Sequence, residues 1–488
     1  MNKLLRRELW ISPDVFGFAA HWAWIWCVFW SALFYGESWK LPDLALAPST
    51  HLEPLWVVSL FMNVVSIGAL LFLARHRNPL SEVRWLPYVC AFLTAVGTFC
   101  ISHFSHIASA ETVPAFYLAG SVLTGLGSGG IVMLWAERFA ELPSWRVVHF
   151  FVSATLVAIL VYCFCMIVPS FVAQALATAL PLVGMGFYLH QRRQLPSVPR
   201  KYRNVRIEAR LPVLMIVVAF FFGLSFGAMK ALIAPAGDGW INLRDALNIV
   251  AIALGTVAIY VTSAVFKMDF DHLTYQVALP LMAAGFLFLP MHEPWSVVGT
   301  AVHQMGYQYF YIVLWALWAA LVAREHVPAA WIAGWGLLAI QGGQLLGSIG
   351  ADLCLVFIHG DLGKAMLSAF VIFVILLVSL FVFGNRSANT GWGFIKPMEQ
   401  EQAEDSARSF DEACEVIAHR YRLTTRENDV FLLLARGRNR AYIRDELVIG
   451  DETVKSHIKS IYRKCEVHSQ QALINLVDRE RAEERLGE

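Results

Sequence analysis

Twelve stretches of about 20 apolar residues, each long enough to cross roughly 30 Å of hydrocarbon, fill most of this 488-residue chain. They lie near 15–35, 55–73, 86–107, 114–135, 147–168, 171–190, 211–233, 246–266, 274–290, 296–322, 329–350 (or on to Phe357) and 365–384. Lipid offers backbone N–H and C=O groups no partner, so each run must satisfy its own, which a helix does alone. The expected fold is therefore all-α, a polytopic bundle of about twelve spans. Lys3, Arg6 and Arg7 precede the first run, but it lacks a small-residue cleavage site and reads as a spanning helix rather than a signal peptide.

Charge divides the chain in two. Only 15% of residues are charged, against roughly 25% in soluble proteins. Of those 75 residues, 35 lie between 396 and 488. A lipid-soluble part is thus joined to a water-soluble tail, and the net charge of +1 averages over both. Cytoplasmic loops favour Lys and Arg. With the N-terminus inside, 18 of the 22 basic residues before position 396 fall on that side, leaving Lys40, Lys230, Arg244 and Lys364 opposite. An even number of spans returns the tail to the cytoplasm, so the expected location is a bacterial cell membrane with both termini cytoplasmic.

The basic loop His190–Arg210 divides the spans six and six. A short repeat agrees: Ile131-Val132-Met133-Leu134-Trp135-Ala136 in the fourth span and Ile312-Val313-Leu314-Trp315-Ala316 in the tenth. On this architecture residues 1–385 resemble the major facilitator fold, with two parallel repeats around a cavity. That family's signature between its second and third helices is not reproduced by Arg75-His76-Arg77-Asn78-Pro79-Leu80-Ser81-Glu82, so the resemblance implies a cavity but not proton-coupled transport.

Residues 386–420 read as linker and connecting helix. Gly391, Gly393 and Pro397 break the chain, and Phe410, Cys414, Ile417 and Tyr421 then recur at helical spacing. In 421–488 the residues spell four short helices. Thr424 or Thr425 caps the first, with Glu427 in its first turn, and Gly437 ends it. The second, about 440–448, buries Ile443 and Leu447. The third, about 451–465, buries Val454, Ile458 and Ile461 and turns Lys455, Lys459, Arg463 and Lys464 outward, a face suited to a phosphate backbone and a major groove.

Leu423-Thr424-Thr425-Arg426-Glu427 and Thr453-Val454-Lys455-Ser456-His457 resemble the LuxR-type (LuxR/FixJ, GerE) helix-turn-helix family. The resemblance implies that Glu427 braces the fold, that Thr453 and Val454 enter the groove, and that Lys455, His457 and Lys459 contact double-stranded DNA. It also makes the last helix, with Ala472, Leu473, Leu476 and Val477, a dimerisation helix for a homodimer on DNA. Arg440 and Tyr442 depart from the family, as does Cys465-Glu466.

Polar residues at membrane depth usually face a cavity or another helix. Gln304, Tyr307, Gln308 and Tyr311 in the tenth span and Gln341 and Gln344 in the eleventh are the ligand candidates, followed by His303, Asp352, His21, Asn63 and Lys230. Twelve spans joined to a LuxR-type module resemble a class of bacterial membrane-bound regulators whose signal is generally a small molecule. The expected function is therefore a ligand-responsive transcription regulator in the lipid bilayer; a transporter with a fused regulatory DNA-binding tail is the alternative. The eight cysteines show neither a disulfide framework nor metal spacing. No nucleophile with a base and no phosphate-cradling loop is visible, so no enzymatic activity, metal or cofactor is expected.

Overall fold

The computed structural model describes residues 12–31, 53–75, 79–103, 112–140, 142–194, 213–233, 238–270, 273–325, 328–358, 360–384, 410, 413–447 and 449–487. The chain divides into two compact units, Met1–Met398 and Glu399–Glu488. No strand occurs among the described residues. Most of the basic loop and the linker before 410 lie outside them.

The first unit contains α1 (Pro13–Phe29), α2 (Pro54–Ala74), α3 (Leu86–Ser102), α4 (Val113–Ala140), α5 (Ser144–Ile167), α6 (Ser170–Gln194), α7 (Val213–Leu232), α8 (Asp238–Tyr260), α9 (Leu279–Phe288), α10 (Trp295–Glu325), α11 (Ala329–Phe357) and α12 (Gly360–Gly384). Nine are long and apolar enough to cross a membrane by length and composition; α1, α3 and α9 are shorter as described. Prolines set several boundaries. Pro13 and Pro54 open α1 and α2, where the missing N–H loses no bond. Pro169 separates α5 from α6 by holding Val168 extended, at ψ 160°. The eleventh helix takes the longer reading, to Phe357. The eighth continues into a π-helical turn, Val261–Val265, and a second such turn, Leu273–Ala278, leads into α9.

Helix packing reveals the six-plus-six repeat more strongly than the sequence does. In the first six, α1 packs on α5 and α6, α2 on α4, and α3 on α4 and α6. The second six repeat this set: α7 on α11 and α12, α8 on α10, and α9 on α10 and α12. Contacts between the halves obey the same exchange. The pair α2–α11 corresponds to α8–α5, α4–α11 corresponds to α10–α5, and α4 meets its own equivalent, α10. Two parallel repeats around a pseudo-two-fold axis have this property. Trp135 and Trp315, the matching residues of the short repeat, are both buried on that central pair.

The α7–α11 contact depends on glycine. A Cβ on Gly227 would lie 2.0 Å from the carbonyl oxygen of Gln344, and one on Gly343 would lie 2.1 Å from that of Phe220. Gly223-x-x-x-Gly227 and Gly343-x-x-x-Gly347 therefore bring two backbones together, as small residues do where lipid supplies no hydrophobic drive for helix association.

In the second unit, residues 413–420 form α13, followed by α14 (Thr425–Ala435), α15 (Arg440–Leu447), α16 (Asp451–Lys464) and α17 (Gln470–Gly487). Thr424 is the cap: its hydroxyl accepts the Glu427 N–H, and the Glu427 carboxylate accepts the Thr424 N–H. Gly437, at φ 76°, closes α14, with its N–H bonded to Leu434 and that of Arg438 to Leu433. Ala413, Cys414 and Ile417 are buried with Val430, Phe431, Ile443, Val454 and Ile461 in one core. The connecting helix thus belongs to the module, and Arg420 ties it to α17 through a two-pronged pair with Glu480 (2.6 and 2.7 Å).

Gly227→Leu is expected to force α7 and α11 apart. Overpacking of this kind costs about 1–3 kcal/mol or more, which should appear as a lowered unfolding temperature of the purified chain in detergent, whereas Gly186→Leu, where nothing lies within 4 Å of an added Cβ, should leave it unchanged.

Candidate nucleic-acid interface and membrane cavity

The basic face of α16 is presented by the amphipathic pattern of its own sequence. Val454 and Ile461 are buried and fix the helix against α14 and α15, which leaves Thr453, Lys455, Lys459 and Arg463 exposed and His457 half-buried. Beside this face runs an open groove lined by Arg440, Lys455, Lys459, Arg463 and His468, with one acid, Glu466, and by Ile458, Tyr462 and Val467. Arg440 lies on α15, and sequence reading marked it only as a family departure. Lys455 is already engaged, by Glu452 and by Asp451 at 3.4 Å. Phosphate must compete with those acids for it.

Three sequence expectations need correction. Val454 has no exposed surface and packs in the module core, so it cannot enter a groove; the burial stripe, not the family resemblance, places it. Leu473 and Val477 are likewise buried in that core and are not available to a dimer surface, while Ala472 and Leu476 remain half-exposed. Lys464 does not stand on the basic face with its neighbours. Its ammonium donates to the Glu427 carboxylate at 2.6 Å and to the Arg422 carbonyl at 3.1 Å.

Glu427 is the hub of this arrangement. Its carboxylate is buried and accepts from Lys464, from the Ser460 hydroxyl at 2.6 Å and from the Thr424 N–H at 2.8 Å. Burial pushes the carboxyl up, but Lys464, Ser460 and Thr424 more than offset this and hold it down to about 2. The brace therefore links the cap of α14 to the last two turns of the recognition helix. Ser460 was not singled out from sequence, because nothing in its spacing reveals a partner 33 residues away.

In the membrane unit, Gln304, Tyr307, Gln308, Tyr311, Gln341 and Gln344 all line one cavity of about 110 Å³. His21 and Asn63 join them. His303, Asp352 and Lys230 do not: His303 lies 3.0 Å from the Ser225 hydroxyl, and Lys230 sits 3.7 Å over the Trp30 ring and donates to the Phe29 carbonyl. The Gln344 amide donates to the Tyr307 hydroxyl at 2.5 Å. Aromatic rings on α1 and α2, including Trp22, Trp24 and Trp56, form much of the remaining wall. Sequence reading missed these because tryptophan in a spanning helix looks like packing. Toward the end where α1 begins and α4 finishes, Phe18, Phe139, Phe151 and Trp315 form an aromatic cluster with ring centroids 4.8–6.2 Å apart.

Residues 421–477 match the family model described as bacterial regulatory proteins, luxR family. This segment is a LuxR-type helix-turn-helix domain. No curated protein matches the chain. The membrane unit is similar to a bacterial homologue of the iron transporter ferroportin, outward-facing with soaked iron, at 9% identity and TM-score 0.56 over 78% of this chain and 99% of that one. It is also similar to the proton:xylose symporter XylE bound to 6-bromo-6-deoxy-D-glucose (15%, TM-score 0.52, 78% and 95%) and to a human organic anion transporter (13%, TM-score 0.51, 76% and 99%). At such identities the likeness shows the fold, that of the major facilitator superfamily. The chain thus joins a LuxR-type module to a transporter-like fold.

Glu427→Gln is expected to lower the stability of the LuxR-type module by about 2 kcal/mol, the scale of hydrogen bonds to an ionised group, as read by urea unfolding at neutral pH. Because the folded carboxyl lies below its ordinary 4.5, its stabilisation is complete above that value and is lost as pH falls toward 2. The variant should show a flatter loss of stability across this window.

Proposed function

We propose that this chain is a membrane-bound bacterial transcription regulator that reads duplex DNA with α16 and alters that reading when a small molecule occupies the membrane cavity. One observation carries the proposal: a DNA-binding module with a preformed basic face shares its chain with a membrane unit whose polar residues converge on one cavity. The bias of basic residues toward one side supports cytoplasmic termini, where bacterial DNA is reachable. Thr453, Lys455, His457, Lys459 and Arg463 are the contact set. A single recognition helix reads few base pairs, so such proteins bind paired half-sites as dimers. The half-exposed Ala472 and Leu476 of α17 are the residues left to pair two copies.

The likeness to transporters supports a second reading, a transporter whose tail regulates transcription. Regulation requires only that the ligand prefer one arrangement of the two halves over another.

Lys459 provides the test of the DNA-reading half. Each phosphate contact releases counterions, so affinity falls as salt rises. For the full chain in lipid nanodiscs, Lys459→Ala should weaken binding across sequences and reduce the slope of log affinity against log salt by about 1. An unchanged slope removes Lys459 from the interface.

A further inference from the structure

Lys230 is one of the four basic residues that the bias toward cytoplasmic loops leaves on the opposite side. It stands near the end of α7, in the second six helices, just before that helix finishes at Leu232. The groups that hold it belong to the first six. Its ammonium lies 3.7 Å from the centroid of the Trp30 ring and 4.9 Å from that of Trp56, and it donates to the Phe29 carbonyl at 3.2 Å. Glu53 at the start of α2, and Arg244 and Asp245 on α8, are the charged groups near enough to act on it electrostatically. The contact continues into a seam between the halves. Phe226, one turn earlier on α7, meets Trp30 and Trp56 with centroids 5.4 and 6.0 Å apart, and the Trp56 indole donates to the Ser348 hydroxyl of α11 at 3.4 Å.

An ammonium taken out of water is held over an indole more firmly than an exposed one, because the ring face replaces part of its lost hydration. Here two indoles share it. The lysine sits at a helix end, so when the halves part its long stem lets the ammonium reach water instead of staying in an apolar bundle. The cation thus has a favourable place in both arrangements, which makes the contact reversible. At the other end of the bundle the roles are exchanged: the Arg75 guanidinium, at the end of α2 in the first six helices, stands 5.4 Å over the Trp331 ring of α11 in the second six.

We infer that Lys230, seated on Trp30 and Trp56, is a latch that holds the two six-helix halves together at the end of the bundle where α1 and α7 finish. The latch lies wholly within the membrane unit and requires nothing of α16.

The test measures how often the halves part at this end, using the full chain in lipid nanodiscs without DNA. Ser348 has no exposed surface and lies between the Trp56 indole and the Gly227 carbonyl. Ser348→Cys therefore puts a thiol on the seam, and its rate of modification by a positively charged thiol reagent, read peptide by peptide with mass spectrometry, follows the population of the opened form. Native Cys90, buried on α3 against Gly130 of α4, lies within the first half and reports general loosening. Lys230→Met, which keeps the stem and loses the charge, is expected to speed modification at position 348 by about 10- to 30-fold, the scale of a desolvated cation–π contact, and to leave Cys90 unchanged. Trp30→Leu should do the same, and it serves alone if Lys230→Met does not fold. Lys230→Arg, which keeps a cation over the rings, should hold the rate to within about threefold of the parent. A rate at position 348 unchanged by Lys230→Met and Trp30→Leu, a rise at Cys90 as large as that at position 348, or equal rates for Lys230→Arg and Lys230→Met overturns the latch.

Discussion

In the hydrocarbon of a bilayer an unpaired polar group has no water to turn to, and the membrane unit is arranged around that penalty. Its backbone is paired within helices, and its serines and threonines mostly donate to carbonyls one turn back, as Thr94, Thr98 and Ser102 do along α3. Its helices meet through glycine where backbones must touch. Against that background, the polar side chains of α10 and α11 are notable because six of them, Gln304, Tyr307, Gln308, Tyr311, Gln341 and Gln344, line one cavity.

The pseudo-two-fold arrangement relates the two halves of the membrane unit to each other helix by helix. The central helices α4 and α10 are equivalents facing each other, and contacts across the seam come in matched pairs. On the proposed reading the cavity is lined from both halves, so an occupant that prefers one arrangement of the halves biases the position of one against the other. In the LuxR-type module the comparable organising contact is Glu427, which holds α14 and α16 in a fixed relation so that the basic face is formed before DNA arrives.

How much of this was legible in the sequence depends on the range of the interaction. Local chemistry read well: a threonine cap at Thr424 or Thr425 with Glu427 in the first turn, and the Gly437 terminus, follow from residues within a few positions, and the twelve helices follow from apolar run length; the reciprocal Thr424–Glu427 bonds came from the structure. The Gln and Tyr residues of α10 and α11 were visible as polar groups where lipid forbids them. Long-range pairing was not visible. Lys464 shares the spacing of the basic face, yet its ammonium is taken by a carboxylate 37 residues earlier. Leu473 and Val477 lie on the apolar stripe of α17 with Leu476, and sequence cannot say which members of one stripe fill the module's own core. Trp22 gained meaning only when helix packing set it in the cavity wall, whereas Asn63 already read as a polar candidate.

The central claim is that a chain held in a bilayer reads DNA through α16. Its most direct test is to sequence the DNA cross-linked to the full-length protein in intact cells and recovered with the membrane fraction, comparing the parent with Lys455→Ala/Lys459→Ala. The account predicts discrete enriched sites for the parent, with two half-sites about one helical turn apart, and their loss in the variant at equal membrane abundance. Recovery of the same unenriched DNA with both proteins would contradict it.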